Sequence, residues 1–188
     1  MKSIAYHMLD IVQNAIQAKS TEVQLYIEES DADGTLKIII TDDGKGMGKE
    51  QAENASDPYF TSRNTRKVGM GLPLLKQNAE RTGGNFKIDS ALGKGTSVNV
   101  VFVKNNIDCP SKGDIVGTIH QLITSNSTIN IYFCYNKNGN KFELSTLEIK
   151  EALDDTPLYH REISGYIREM IEENMKDIEA TEDFSYKT

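Results

Sequence analysis

The 188 residues carry 21 Lys+Arg against 28 Asp+Glu, a net charge of −7, and a chain of this length can bury a self-sufficient core in one large or two small domains. The charge is unevenly placed: residues 1–104 hold 13 basic and 13 acidic side chains and residues 105–188 hold 8 and 15, so the acidic second half argues against a nucleic-acid partner. Cys109 and Cys134 stand apart with no C-x-x-C and no His at ligand spacing, against a zinc site or a disulfide framework; no charged-then-apolar leader opens the chain and no apolar run approaches the roughly 18 residues of a bilayer span, so a soluble, cytoplasmic protein without a membrane partner is expected.

Ser3 to Ala18 reads as a helix. Ile4, Met8, Ile11, Val12 and Ala15 fall on one stripe, with His7, Asp10, Asn14 and Gln17 opposite. An ordinary surface helix would also show a polar face, but this one has an acid, an amide and a histidine where Lys and Glu usually stand. Asp10 and Asn14, four apart, project side by side; an amide oxygen can ligate Mg²⁺ and a carboxylate one turn away can take a proton from water.

Glu22 to Glu29 alternates apolar and polar, Thr35 to Thr41 is a buried-looking run, and Asp31, Asp33 and Gly34 between them make a hairpin. Its second strand delivers Asp42-Asp43-Gly44-Lys45-Gly46, a turn in which glycine reaches positive φ without strain and lets something approach the main chain. Plain turn chemistry accounts for the same five residues. Lys49 to Asn54 reads as a short helix. Thr61 to Lys67 is polar and basic, with Arg63, Arg66 and Lys67, either a solvated loop or a cover over something anionic. It runs into Gly69-Met70-Gly71-Leu72, with Pro73 in the first turn of a helix. Such a helix start offers free N–H groups and a positive dipole end to phosphate. A second hairpin, Phe86 to Asp89 and Ser97 to Val103, turns at Gly93-Lys94-Gly95-Thr96. Neither G-x-x-x-x-G-K-[ST] nor a strand-linked G-x-G-x-x-G occurs, which disfavours P-loop and Rossmann sites.

Taken in order, Asp10-x-x-x-Asn14-Ala15, Asp42-x-Gly44-x-Gly46, Gly69-x-Gly71-Leu72 and Gly93-x-Gly95-Thr96 resemble the ATP-binding domain shared by gyrase, Hsp90, bacterial histidine kinases and mismatch-repair ATPases. The resemblance covers about residues 3 to 103 and implies an α+β fold, a two-layer sandwich of helices on a mixed sheet (the Bergerat-type ATP-binding fold), with ATP between helices and lid. It implies that Asp42 accepts the adenine amino group and that Gly44 and Gly46 let base and ribose approach. Asn14 would ligate Mg²⁺, and Gly69, Met70, Gly71 and Leu72 would hold the β- and γ-phosphates. Thr96 would support the adenine side through water, and Arg63, Arg66 and Lys67 would serve the lid. Asp10 stands where the family's ATPases usually have Glu, one C–C bond longer, or about 1.5 Å, so slow intrinsic hydrolysis is expected. No dimerisation helix with a phosphoacceptor histidine is expected ahead of the domain; His7 is expected in packing or behind the site. Gln17 stands where many histidine kinases carry a phosphate-contacting Lys.

Residues 105–112 read as a linker and 113–178 as a small αββαα accessory domain, with 179–188 a tail. Asp114 to Ser125 is helical, and Ile129 to Tyr135 and Lys141 to Leu144 form a hairpin at Asn138-Gly139. Ser145 and Glu148 make a capping box. Tyr159 to Ile178 is a helix with Ile163, Tyr166, Ile167, Met170, Ile171 and Met175 on one stripe. His120 reads as a satisfied structural histidine. The expected activity is Mg²⁺-ATP-dependent transfer of the γ-phosphoryl to a histidine or serine of a separate protein, or else an ATP-gated binding module. The resemblance also extends to stand-alone chains of anaerobic bacteria that accompany iron-only hydrogenase components, which makes such a component a candidate partner.

Overall fold

The computed structural model describes residues 2–57, 71–126, 128–154 and 156–180. Helix α1 (Ile4–Gln17) begins at Ser3, whose hydroxyl accepts from the Tyr6 N–H, and strands β1 (Glu22–Ser30) and β2 (Thr35–Asp42) follow as the expected hairpin. Then come α2 (Lys49–Asn54), α3 (Gly71–Arg81), β3 (Asn85–Ala91) and β4 (Gly95–Val103). The second half contributes α4 (Ile115–Ser125), β5 (Asn130–Lys137), β6 (Asn140–Ser145), α5 (Thr146–Ala152) and α6 (Arg161–Ala180).

The six strands form a single mixed sheet in the order β3-β4-β2-β1-β5-β6, parallel only between β1 and β5. Period-two alternation turns Val23, Leu25 and Ile27, Leu36, Ile38 and Ile40, Val98, Val100 and Phe102, and Ile131, Phe133 and Tyr135 toward the helices, all buried. Helices α3, α1, α4 and α6 pack side by side over that face, so the fold is the expected α+β sandwich.

The division expected at residues 105–112 takes a particular form here. That segment does bridge the halves, yet β5 extends the same sheet by pairing with β1, Glu22 opposite Asn130 through Glu29 opposite Lys137, and the apolar residues of both halves form one cluster. The bridging segment is itself bonded into the fold: Ser111 and Lys112 carbonyls accept from the Ile4 and Ala5 N–H groups, 2.9 and 3.0 Å, satisfying the first turn of α1.

Three other expectations shift. His7 packs as expected, at 1 % exposure, but not opposite the apolar stripe: at 100° per residue it lies between Asn14 and Ile11, on the flank that α3 covers. Tyr166 is 72 % exposed; the buried row of α6 runs Ile167, Ile171, Met175 with Ile163 partly buried ahead of it, and position 166 is one residue off it. Helix α6 also continues past Ile178, which is buried, to Ala180, so Glu179 belongs to the helix and not to a tail.

Candidate functional site

The acid–glycine turn lies where the end of β2 meets the end of α1. Asp42 is the last residue of β2, and its Oδ1 is held at 2.8 Å by the Gly44 N–H and at 3.0 Å from Ser20 Oγ, whose single proton is shared with the Ala15 carbonyl at 2.9 Å. Among the described residues no hydrogen-bond donor reaches Asp42 Oδ2. Asp43 points the other way and fastens the turn to the start of β1, accepting from Thr21 N, Thr21 Oγ1 and Glu22 N at 2.7, 2.5 and 2.9 Å. Burial pushes the Asp43 carboxyl up, but these donors outweigh it and hold it below the usual carboxylate range. The two adjacent acids are thus divided: Asp43 is structural, and Asp42 keeps an oxygen for something else.

Two glycines set how close the second hairpin comes. Gly46 has φ +62°, and a Cβ there would fall 1.9 Å from the Ala91 carbonyl oxygen; Gly95 has φ +82°, and a Cβ there would fall 1.8 Å from the Asp42 carbonyl oxygen. Only glycine meets both demands. The β4 strand then lies directly on β2 with Thr96 opposite Asp42. Thr96 Oγ1 and Ser90 Oγ are 2.9 Å apart, and Ser90 Oγ accepts from Met47 N at 2.9 Å, so a hydroxyl pair ties the glycine turn to the hairpin.

At the middle of α1, Asp10 is half-buried and a Cβ on Gly71 would lie 3.4 Å from its Oδ2. The first residue of α3 therefore abuts the carboxylate. Lys2 Nζ is 3.7 Å from that same Oδ2 and 3.8 Å from the centre of the Tyr6 ring. Asn14 and Gln17 are exposed along α1. His7, one turn before Asp10, bonds Asn78 of α3 through Nε2 at 3.0 Å and leaves Nδ1 without a partner among the described residues. It borders a small cavity of about 10 Å³ with Ile11, Ile40, Leu75 and Val98, and burial holds its pKa below the ordinary value.

The structure therefore brings Asp42, Gly44, Gly46 and Thr96 together at the C-terminal end of α1 and Asp10 and Gly71 nearer its beginning, with Asn14 between and Leu72 half-buried in the first turn of α3. Arg63, Arg66, Lys67, Gly69 and Met70 lie outside the described residues. Ser20, Thr21 and Ser90 escaped sequence reasoning; the signal was the hairpin register, Val23 opposite Asp42, which carries the residues just before β1 to the turn after β2. His120 is paired as expected, its Nε2 2.9 Å from Ser164 Oγ across α4 and α6.

The described residues thus form an α+β sandwich with an acid–glycine turn set against the end of α1 and with α3 starting beside its middle. Over residues 3–106 the chain matches the profile of the histidine kinase-, DNA gyrase B- and HSP90-like ATPases, more than half its length, and it belongs to that family. It is 33 % identical over 97 residues to the histidine protein kinase DivJ of Caulobacter vibrioides, a stretch covering 50 % of this chain and 16 % of that protein. The chain thus matches only about a sixth of this relative's length. Among solved structures it is similar to the N-terminal domain of a DNA repair protein (TM-score 0.57, 16 % identity, 77 % of this chain and 53 % of that one) and to the Aquifex aeolicus MutL ATPase domain complexed with ADP (TM-score 0.51, 16 % identity, 82 % and 68 %). These likenesses show the fold. No helix among the described residues is long and apolar enough to cross a membrane.

Proposed function

We propose that this protein binds Mg²⁺-ATP along α1 and passes the γ-phosphoryl group to a separate partner protein. The observation that carries the reading is Asp42: the residue is half-buried, and Oδ1 is locked by Ser20 and the Gly44 N–H while Oδ2 has no donor among the described residues, an acceptor poised for the amino group of adenine. A guanine would present a carbonyl there and leave two acceptors facing each other, a mismatch costing a buried hydrogen bond, about 1–3 kcal/mol. Gly44 and Gly46 shape the turn that base and ribose would meet, by packing against Ser20 and the Ala91 carbonyl where a side chain would not fit, and Thr96, tied to Ser90, supports the adenine side through water.

The residues present also fit a magnesium ion carried in with the triphosphate. Among the described residues no cluster of three acidic, His or Cys side chains is placed to hold a metal, and Mg²⁺ in nucleotide sites commonly takes one or two protein oxygens, with phosphates and water completing the shell. Asn14 would supply the amide oxygen. When bound, the ion would neutralise phosphate charge. The start of α3, Gly71 and Leu72, offers N–H groups to the β- and γ-phosphates, and the motif extends that role to Gly69 and Met70, with Arg63, Arg66 and Lys67 as lid cations. Asp10 is the proton acceptor. Phosphoryl transfer is mostly positioning and charge neutralisation, so the residues of this site suffice once an acceptor protein docks; a hydrogenase component is one place to look for it. The test is to follow γ-labelled ATP with the pure protein, alone and with cell extract. Label moving to a discrete extract protein, and lost with Asn14→Ala, supports the reading; label that reaches no protein overturns it.

A second reading, an ATP-gated binding module, is favoured by Lys112. Its carbonyl caps α1 at Ala5 while its Nζ pairs with Glu29 of β1 and Glu179 of α6, 2.8 Å each. A change at the phosphate end of α1 thus has a direct path to the second half. Gating needs only that ATP prefer one conformation, and equal partner affinity with ATP and ADP excludes it.

A further inference from the structure

We propose that Lys2 is the cation that meets the terminal phosphate of the bound nucleotide, an inference that rests on the ATP reading above and names a residue beyond it. Helix α1 serves as the ruler. The acid–glycine turn packs at its C-terminal end, where the Lys45 N–H donates to the Ala18 carbonyl at 3.0 Å and Ser20 reaches Asp42. Asp10 lies eight residues earlier, about 12 Å along the axis at 1.5 Å per residue. A nucleotide with its base on Asp42 and its phosphates running past Asn14 therefore points its last phosphate at Asp10 and the start of α3. Lys2 is already there, its Nζ on the same carboxylate oxygen that Gly71 abuts.

Its place is held from three sides. The Tyr6 ring lies under the ammonium, Asp10 faces it, and the backbone that carries it enters a helix whose first N–H groups are bonded to Ser111 and Lys112. Gly113 closes the same corner, lying too near Ser3 to accept a side chain. A cation stacked on an aromatic ring and paired with one acid is positioned yet still about two-fifths exposed, so it remains available to a phosphate oxygen of higher charge. Helix α1 itself carries no Lys or Arg: Gln17 stands at the position where the resemblance places a phosphate-contacting Lys. Lys2 supplies that charge from the opposite end of the helix, and its turning to the phosphate takes the ammonium off Asp10 and leaves that carboxylate able to accept a proton.

The test compares Mg²⁺-ATP and Mg²⁺-ADP binding by calorimetry for the full chain and for Lys2→Met and Lys2→Arg. ATP affinity should fall about tenfold in Lys2→Met, the loss of one charge-assisted contact, ADP affinity should change less than twofold, and Lys2→Arg should keep most of the ATP affinity. The ATP-to-ADP ratio within each variant controls for folding. Unchanged ATP affinity in Lys2→Met, or equal loss for both nucleotides, overturns the assignment while leaving the ATP reading intact. A wild-type chain that binds neither nucleotide overturns both.

Discussion

At position 7 a histidine sits fully inside the helix layer with one ring nitrogen bonded to Asn78 and the other without a partner among the described residues. A buried polar pair is worth little net, but removing one partner leaves the other unsatisfied at about 1–3 kcal/mol. Asn78→Leu alone should therefore cost about 2 kcal/mol, and His7→Leu with Asn78→Leu should recover much of it. A urea-denaturation double-mutant cycle measures this, and additive costs would refute it. Acidic residues at the other end of β1 make a different case. Burial raises the carboxyls of Glu29 and Glu179, but hydrogen bonds from Lys112 and Tyr135 to Glu29, and from Lys112 and Lys137 to Glu179, more than offset it. Glu29 ends below its ordinary 4.5 and Glu179 is brought down to about 2. Folded values below unfolded ones mean that the unfolded chain binds protons more readily. The stabilisation is whole above about pH 4.5 and is lost as pH falls toward 2. Melting temperature should drop between pH 5 and 3, and drop less steeply in Glu179→Gln; because Glu179 is part-exposed, its share should stay near 1 kcal/mol or below. Parallel pH profiles for the two proteins would exclude this role.

Among the elements, the β3–β4 hairpin and the β2 turn depend on one another through atoms that sequence spacing does not display. The Gly95 position has both a left-handed φ and no room for a Cβ against the Asp42 carbonyl. Gly95→Ala should separate β4 from β2 at the acid–glycine turn, costing about 2–4 kcal/mol by strain and a broken ladder and abolishing ATP binding. Gly93→Ala, two residues away, shares the positive φ (+72°) but has nothing within 4 Å, so it should cost only the backbone strain, about 1–2 kcal/mol, and leave binding in place. Equal effects of the two would show that the close approach is not what the glycine serves. Melting curves and nucleotide titrations read both quantities.

On the scale of the molecule, the acidic second half completes the sheet and its helix layer. Glu29, 3 % exposed on β1, is reached by Lys104, Lys112 and Tyr135, while Glu179 of α6 binds Lys112 and Lys137. Residues from Glu29 to Glu179, in four separate stretches of the chain, share one ion cluster. Removing its central carboxylate leaves cations that are half-solvated, so Glu29→Ala should cost about 3 kcal/mol, at the low end for a broken buried pair. Because strands and core are continuous from β3 to β6, far-ultraviolet and tyrosine signals should report one coincident urea transition in both the wild type and Glu29→Ala, shifted to lower urea in the variant. Two resolved transitions would mean that the halves fold as independent units.

The sequence by itself determined what depends on near neighbours. Ser3 and Asp114 as helix caps, the Asn138-Gly139 turn with φ of +52° and +90°, the alternation that buries Val98, Val100 and Phe102, and the order of the four motif stretches follow from local sterics and from the spacing of apolar residues. The family and the fold were legible because those stretches lie in one continuous segment. Tertiary structure decided whatever needed a partner far along the chain. It gave Asp42 and Asp43 different partners, Ser20 and Thr21, moved His7 inward because α3 covers its flank, and drew Glu179 into α6 because Lys112 and Lys137 meet it there. It also joined β5 to β1, since a parallel pairing has no turn to announce it and is fixed only when the helices that cover both strands pack.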